Sequence, residues 1–444
     1  MIRVFKKLIK SVIRFFYRFC RAVFRLLPVS QSLKNYFKYA AARELTKWLR
    51  SRGYIVSTEA DDYKNYAVKI FETGARSEEF KEYKENHITF SGEDVKPIAF
   101  YLPQYYTFPE NDKWWGKGFT EWTNVTKAVP QFLGHYQPHL PYDMPFYDLS
   151  GINIMKEQVK LAKNYGIYGF CFYYYWFGGK RLLDKPLDNF LNSKEGFDFP
   201  FCLLWANENW TRRWDGMDNE ILIAQKHSKE DDLACIADIC KYVKDERYIR
   251  INGRPLIIIY NPDRLPNANN TIKIWKKYCR DNGIGEICLA ATNVSSEASV
   301  SYNFDEALEF PPNGIVYKMP PNVKAVPINP EFNCDVFDME KYVSGKLYYP
   351  EHKAYLSAFP CWDNTARRGA NSYVFQMTPK IYKQWISDII RHTKENREIG
   401  DRFVFINAWN EWAEAAHLEP CRKYGYANLQ ATADAVMESK MSKE

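Results

Sequence analysis

Glu411 and Glu414 are the residues of this chain best placed to do chemistry. They close the run Phe403-Val404-Phe405-Ile406-Asn407-Ala408-Trp409-Asn410-Glu411-Trp412-Ala413-Glu414. The four apolar residues at its head, β-branched or aromatic, read as a short buried strand. The run then passes into amides, indoles and two acids three residues apart, with no Gly or Pro to make an ordinary turn. Two carboxyls so flanked suit glycosidic chemistry: one donates a proton to a leaving oxygen, the other acts as base or nucleophile. The plainer alternative is a helix N-terminus, where Glu complements the macrodipole. The indoles and amides at the strand mouth weigh towards a site.

Such a site needs elements to hold it, and a repeating pattern from Val95 onward supplies them. Short apolar runs alternate with longer amphipathic stretches: 98–102, 169–175, 201–205, 256–260, 287–291, 306–310, 354–359 and 403–406. Helical spacing fills 154–164, 231–244, 270–281, 380–394 and 425–439. Eight strand–helix units predict an α/β fold, a (β/α)8 TIM barrel whose C-terminal strand ends share one face. The sixth and seventh runs carry the weakest pattern. An open doubly wound sheet is the competitor, but no Gly-x-Gly-x-x-Gly follows the first strand.

The strand ends repeat one composition. Tyr105, Trp115, Glu121 and Trp122 follow the first run, and Tyr175 ends the second. Trp205, Asn207, Glu208, Asn209 and Trp210 follow the third, Tyr260 the fourth and Trp362 the seventh. Asn407, Trp409, Asn410 and Trp412 surround the acids of the eighth. Indoles and phenols stack on sugar rings while amides and carboxylates bind hydroxyls, so all sixteen are expected to bind a glycan substrate. One such run alone fits core packing; five at strand ends fit it poorly. Arg212 and Arg213 suit a phosphate or acidic sugar, or an ion pair with Asp215 or Asp218.

Composition narrows the class. Of 444 residues, 46% are hydrophobic and 26% charged, as in folded soluble domains. Aromatics reach 17%, more than an aliphatic core requires, and so must line something else. Ten cysteines without a Cys-x-x-Cys pair and seven scattered histidines predict free thiols, no metal and no cofactor. The net charge of +7 is an uneven average, because residues 1–50 carry thirteen Lys or Arg against Glu44 alone. The remainder is mildly acidic, which argues against a nucleic-acid partner.

Within 1–27, Arg3, Lys6, Lys7, Lys10, Arg14, Arg18, Arg21 and Arg25 fall in one helical arc of roughly 120°. Phenylalanines and aliphatics take the opposite side, and Pro28 ends the pattern. This basic amphipathic helix is expected on an anionic membrane surface, neither as a span nor as a signal peptide. The expected organisation is therefore a membrane-surface helix over 1–28, a helical and polar connector over 29–94 and the barrel over 95–444. A peripheral place on the cytoplasmic face of the cell membrane follows.

At the strand ends the chain resembles a known family: the WbsX-type glycosyltransferases of bacterial surface-polysaccharide clusters, related to glycoside hydrolase family 99. The resemblance lies in Ala99 to Tyr105, Gly118 to Trp122, Trp205 to Trp210 and Trp409 to Glu414, with His417-Leu418-Glu419-Pro420 similar too. It implies the same barrel and activity on O-antigen or capsule glycans, lipid-linked ones among them. In the hydrolase relatives the two glutamates of Asn-Glu-Trp-x-Glu cleave α-mannosidic bonds with retention. Carried over, Glu411 is the base that takes the sugar 2-hydroxyl proton towards an epoxide-like intermediate, and Glu414 the general acid/base. Ala415 stands where relatives commonly have Gly. No Asp-x-Asp triplet marks a metal-dependent nucleotide-sugar site. Nucleotide-sugar transfer and a non-catalytic glycan-binding barrel remain the competing functions.

Overall fold

The computed structural model of the chain describes residues 66–68, 71–193, 197–212, 217–292, 302–350, 353–370 and 372–441. The basic helix expected over 1–28 and most of the connector lie outside these residues.

The apolar runs form a ring of parallel strands. In chain order they are β1 (Lys96–Tyr101), β2 (Gly169–Phe177), β3 (Phe201–Trp205), β4 (Arg254–Ile259), β5 (Cys288–Thr292), β6 (Glu306–Leu308), β7 (Ala354–Tyr355), β8 (Ser357–Ala358) and β9 (Phe403–Ile406). Each pairs with its neighbour in sequence from β1 to β7, and β9 inserts between β8 and β1. The segments β7 and β8 flank Leu356 and act as one strand. Ala354 pairs with Ala307 on one side, and Ser357 with Phe405 on the other. Leu356 itself accepts from the Phe405 N–H at 2.9 Å. The ring thereby closes with eight strands, as the sequence pattern predicts.

Close packing fixes two glycines. A Cβ on Gly169, where β2 starts, would meet the Pro200 carbonyl oxygen at 2.6 Å. On Gly425 it would meet the Lys81 carbonyl oxygen at 2.1 Å, at a φ of +54°. That second contact fastens residues 77–86 to the barrel's outside, with the Lys84 N–H on the Tyr165 hydroxyl at 2.9 Å and the Asn86 N–H on Asn164 Oδ1 at 2.7 Å.

The crossovers carry α1 (Glu121–Lys127), α2 (Asn153–Asn164), α3 (Lys229–Val243), α4 (Ala268–Asp281), α5 (Thr365–Arg368), α6 (Pro379–Asn396) and α7 (Ala427–Met441). Met155, Val159 and Ala162 bury the i, i+4, i+7 stripe of α2. Thr378 caps α6 through Ile381 N–H with Pro379 in the first turn, where its missing N–H costs nothing.

Alternation along the strands decides which side chains face the mouth. Tyr173 and Tyr175 line it, whereas Tyr174 between them turns outward to donate to Asp238 Oδ2 at 2.9 Å. Leu204 and Ala206 line it, whereas Trp205 packs outward on Trp275 of α4, ring centroids 5.3 Å apart.

Candidate active site

Beyond β9 the chain makes a narrow two-stranded turn in which Asn410 pairs with His417 and Glu411 with Ala416. A single 3-10 turn over Trp412–Glu414 closes it, and Ala415 takes the left-handed conformation at φ 54°. Glu419 anchors the turn from behind. Its Oε1 accepts from Trp409 Nε1 at 3.0 Å and Gln158 Nε2 at 2.7 Å. Its Oε2 accepts from Trp412 Nε1 at 2.6 Å and the Tyr147 hydroxyl at 2.8 Å. Burial drives the Glu419 carboxyl up to about 7, against the pull of these four donors.

Arg367 organises the front. Its Nη2 lies 2.8 Å from Glu411 Oε2, its Nη1 2.6 Å from Glu414 Oε1, and its Nε 3.2 Å from Glu121 Oε2. Three carboxylates thus converge on one buried guanidinium. Burial alone would lower the arginine's proton affinity, but the three acids hold it well above its ordinary value. The acids cannot all be charged cheaply against one cation in a desolvated pocket. Burial, opposed by Arg367 and reinforced by Glu414 and Glu121, pushes Glu411 up to about 8. Burial likewise raises Glu121, with Arg367 opposing.

The loop after β8 delivers Arg367. Asp363 accepts from Gln137 Nε2 at 2.6 Å and from the Thr365 N–H at 2.9 Å, and pairs with His135 at 2.6 Å. Burial would raise this carboxyl, yet His135 and the other donors hold it down at about 2. The same loop presents Trp362, whose Nε1 donates to Glu414 Oε2 at 3.2 Å.

The cluster opens on a cleft of about 250 Å³ lined by Trp115, Tyr173, Tyr175, Glu208, Asn209, Trp210, Tyr260, Glu411 and Glu414, among others. A second compartment of about 560 Å³ adjoins it and holds Trp362. The structure therefore brings Glu411, Glu414, Trp115, Tyr175, Glu208, Asn209, Trp210, Tyr260 and Trp362 of the sequence-derived set to the barrel mouth.

The rest of that set lies buried behind the wall, away from the cleft lining. Trp205 lies in the helix layer, as alternation requires. Trp122 donates to the Tyr147 carbonyl at 2.8 Å, and Trp409 and Trp412 are committed to Glu419. Glu121 is fully buried on Arg367. The amides bind backbone rather than hydroxyls. Asn410 brackets Leu102 (Oδ1 from N–H 2.7 Å, Nδ2 to C=O 3.0 Å), and Asn207 brackets Asn261 (2.8 and 2.7 Å). Asn407 donates to the Pro311 carbonyl at 2.8 Å. Asn410 and Asn207 thereby extend the hydrogen bonding between neighbouring strands past the ladder, whereas Asn407 reaches across from the end of β9 to the segment after β6. Tyr105 donates to the Asn410 carbonyl at 2.5 Å and accepts from the Trp412 N–H at 3.2 Å.

Sequence reasoning passed over Arg367. Its signal was available: a buried acid pair requires a cation, and Arg367 stands shortly after the aromatic end of the seventh strand. The side chains of Arg212, Arg213, Asp215 and Asp218 lie outside the described residues.

Residues 97–432 match the family described as Glycosyltransferase WbsX. The WxcX proteins of Xanthomonas campestris pv. campestris strains B100 and ATCC 33913 are 41% identical to this chain over 425 residues, which is 94% of it. The chain spans about 59% of the length of these curated relatives. Among solved structures, one described as a glycoside hydrolase-like protein aligns over 83% of this chain and 99% of its own, with TM-score 0.50 and 13% identity, a likeness of fold. A GH99 endo-alpha-mannosidase from Bacteroides thetaiotaomicron, in complex with BIS-TRIS-Propane, aligns over 80% and 99% with TM-score 0.47 and 15% identity.

Proposed function

The chain belongs to the WbsX glycosyltransferase family, and from that premise we propose that it makes or cleaves glycosidic bonds of a bacterial surface polysaccharide, with Glu411 and Glu414 as the reacting carboxyls. The observation that carries this reading is the shared guanidinium: Arg367 holds both acids at an open, aromatic-walled cleft. A merely structural pair would be closed over.

In the proposed reaction on a mannose-type unit, Glu411 takes the 2-hydroxyl proton as O2 attacks C1. The C1–O bond breaks, and Glu414 gives its proton to the departing oxygen. Water or an acceptor hydroxyl then opens the epoxide-like ring at C1, losing its proton to Glu414, while Glu411 returns its proton to O2. The configuration at C1 is retained, and the acceptor decides between hydrolysis and transfer. A carboxyl whose proton affinity lies near neutrality, as burial makes that of Glu411, is suited to receive and return a proton at every turnover.

The test incubates the full chain, wild type beside Glu411→Gln and Glu414→Gln, with α-mannosides and polysaccharide fragments, and separately with nucleotide sugars plus acceptors. Nucleotide-independent cleavage or transfer, lost in both variants, supports the pair. Nucleotide release that survives both substitutions rejects it.

We further propose that residues 1–27 rest on the anionic inner face of the cell membrane, where a lipid-linked glycan would be met. The support is the one-sided basic arc in the sequence. Among the described residues no helix is long and apolar enough to cross a membrane. Salt-sensitive sedimentation with anionic but not zwitterionic vesicles is the expected result.

A further inference from the structure

The second compartment is reached by only one of the two acids proposed to react. Glu411 and Glu414 both line the first cleft, whereas Glu414, Glu208, Tyr260 and Arg367 are shared with the second and Glu411 is not. If Glu414 serves the departing or entering oxygen, as proposed above, the compartment beyond it seats the sugar on that side of the bond. Its walls suit a ring. Trp362 is fixed by its bond to Glu414, and Tyr373 is 44% exposed.

Among the described residues, its one cation outside any ion pair is the informative feature. Arg367 and Arg368 are adjacent in α5 and both line the compartment, but only the first is spent on carboxylates. Arg368 is half-buried, its backbone N–H bonded to the Asn364 carbonyl at 2.9 Å, and among the described residues its guanidinium makes no ion pair. Beside it, Asn364 Oδ1 is buried without a hydrogen-bond partner. A half-buried guanidinium left unpaired is a planar fork of donors awaiting a planar acceptor. The acids that line the compartment do not fill that role: Glu414 is paired with Arg367, Glu208 lies 3.7 Å from Arg264, and Asp335 is exposed on the rim, where solvent screens it.

We propose that this compartment binds a carboxylate-bearing sugar, a uronic acid, on the acceptor or leaving-group side of the scissile bond. Arg368 takes the carboxylate, Asn364 Oδ1 accepts a hydroxyl, and the Trp362 and Tyr373 rings take the sugar face. The inference rests on the glycan-active reading for its orientation, but its test is read by binding and not by turnover.

The probes are a mannose-containing oligosaccharide ending in glucuronic acid and its carboxyl-reduced twin, titrated against the full chain at low and high salt. Wild type is expected to prefer the acidic probe by roughly 10- to 100-fold. The preference is expected to shrink with salt, to fall partly in Arg368→Lys and to vanish in Arg368→Gln. Equal affinity for the two probes, no binding of either, or a preference that survives Arg368→Gln would overturn it. The wild-type salt titration decides the matter even where a variant folds poorly. Arg368-dependent binding with no turnover of any glycan would leave this inference standing and sink the catalytic reading. Turnover without charge preference would do the reverse.

Discussion

The Tyr105 hydroxyl clasps the backbone on both sides of Glu411, donating to the Asn410 carbonyl and accepting from the Trp412 N–H. Removing that one oxygen frees a buried carbonyl and a buried N–H while keeping the ring in place. Tyr105→Phe is expected to cost about 1–3 kcal/mol and to lower kcat more than it raises KM, since Glu411 loses its alignment. Urea denaturation read beside steady-state kinetics checks both halves.

Arg367→Met is expected to be far worse, because three acids then share a buried site without a cation. Breaking a buried pair in this way costs about 3–5 kcal/mol, and turnover should fall by on the order of a hundredfold or more. Adding Glu121→Gln to Arg367→Met should recover part of the stability and none of the activity. Were Arg367→Met as stable as wild type, the three-acid cluster would be misread.

The raised affinity of Glu411 for its proton has a signed consequence. Its ordinary value of 4.5 moves to about 8 on folding, principally by burial, so between the two the folded chain binds the proton and the unfolded chain does not. That contribution is complete below the ordinary value and is lost as pH rises towards about 8. Glu121 and Glu419, also raised by burial, act in the same direction. Glu411→Gln, which needs no proton, should flatten the fall in stability across this window. Denaturation midpoints at a series of pH values would show the flattening, and parallel curves would argue against it.

Ala415 holds a conformation that side chains resist, with φ 54° in the turn that closes after Glu414. Ala415→Val adds β-branching where even a methyl is strained, and is expected to cost about 2 kcal/mol or more. Ala415→Gly should be close to neutral, since relief of strain offsets the loss of a buried methyl. Thermal denaturation of the two variants distinguishes a strained turn from simple packing.

The ring was legible because strands buried on both faces leave continuous apolar runs, and was faintest at Glu306–Leu308, where only three residues pair and the first is charged. The acids were legible because nothing in packing calls for charge at a strand mouth. Burial of the aromatics was not. Trp205 and Trp210 look alike in sequence, yet Trp205 ends β3 facing the helix layer while Trp210 opens a separate antiparallel hairpin at the cleft, a boundary that composition does not mark. The asparagines misled for a related reason: an amide that binds a peptide group and one that binds a hydroxyl are the same residue until the neighbouring strand is known. The tie between Glu121 and Arg367 joins residues 246 positions apart, which no local pattern encodes.

The order of the ring bears on when the site comes into being. The last barrel strand, β9, closes the circle between β8 and β1, and Glu411 and Glu414 both follow it. A chain growing from its N-terminus therefore presents Glu121 and Arg367 before Glu411 and Glu414 exist, and the buried guanidinium completes its set of acids only once β9 has closed the ring.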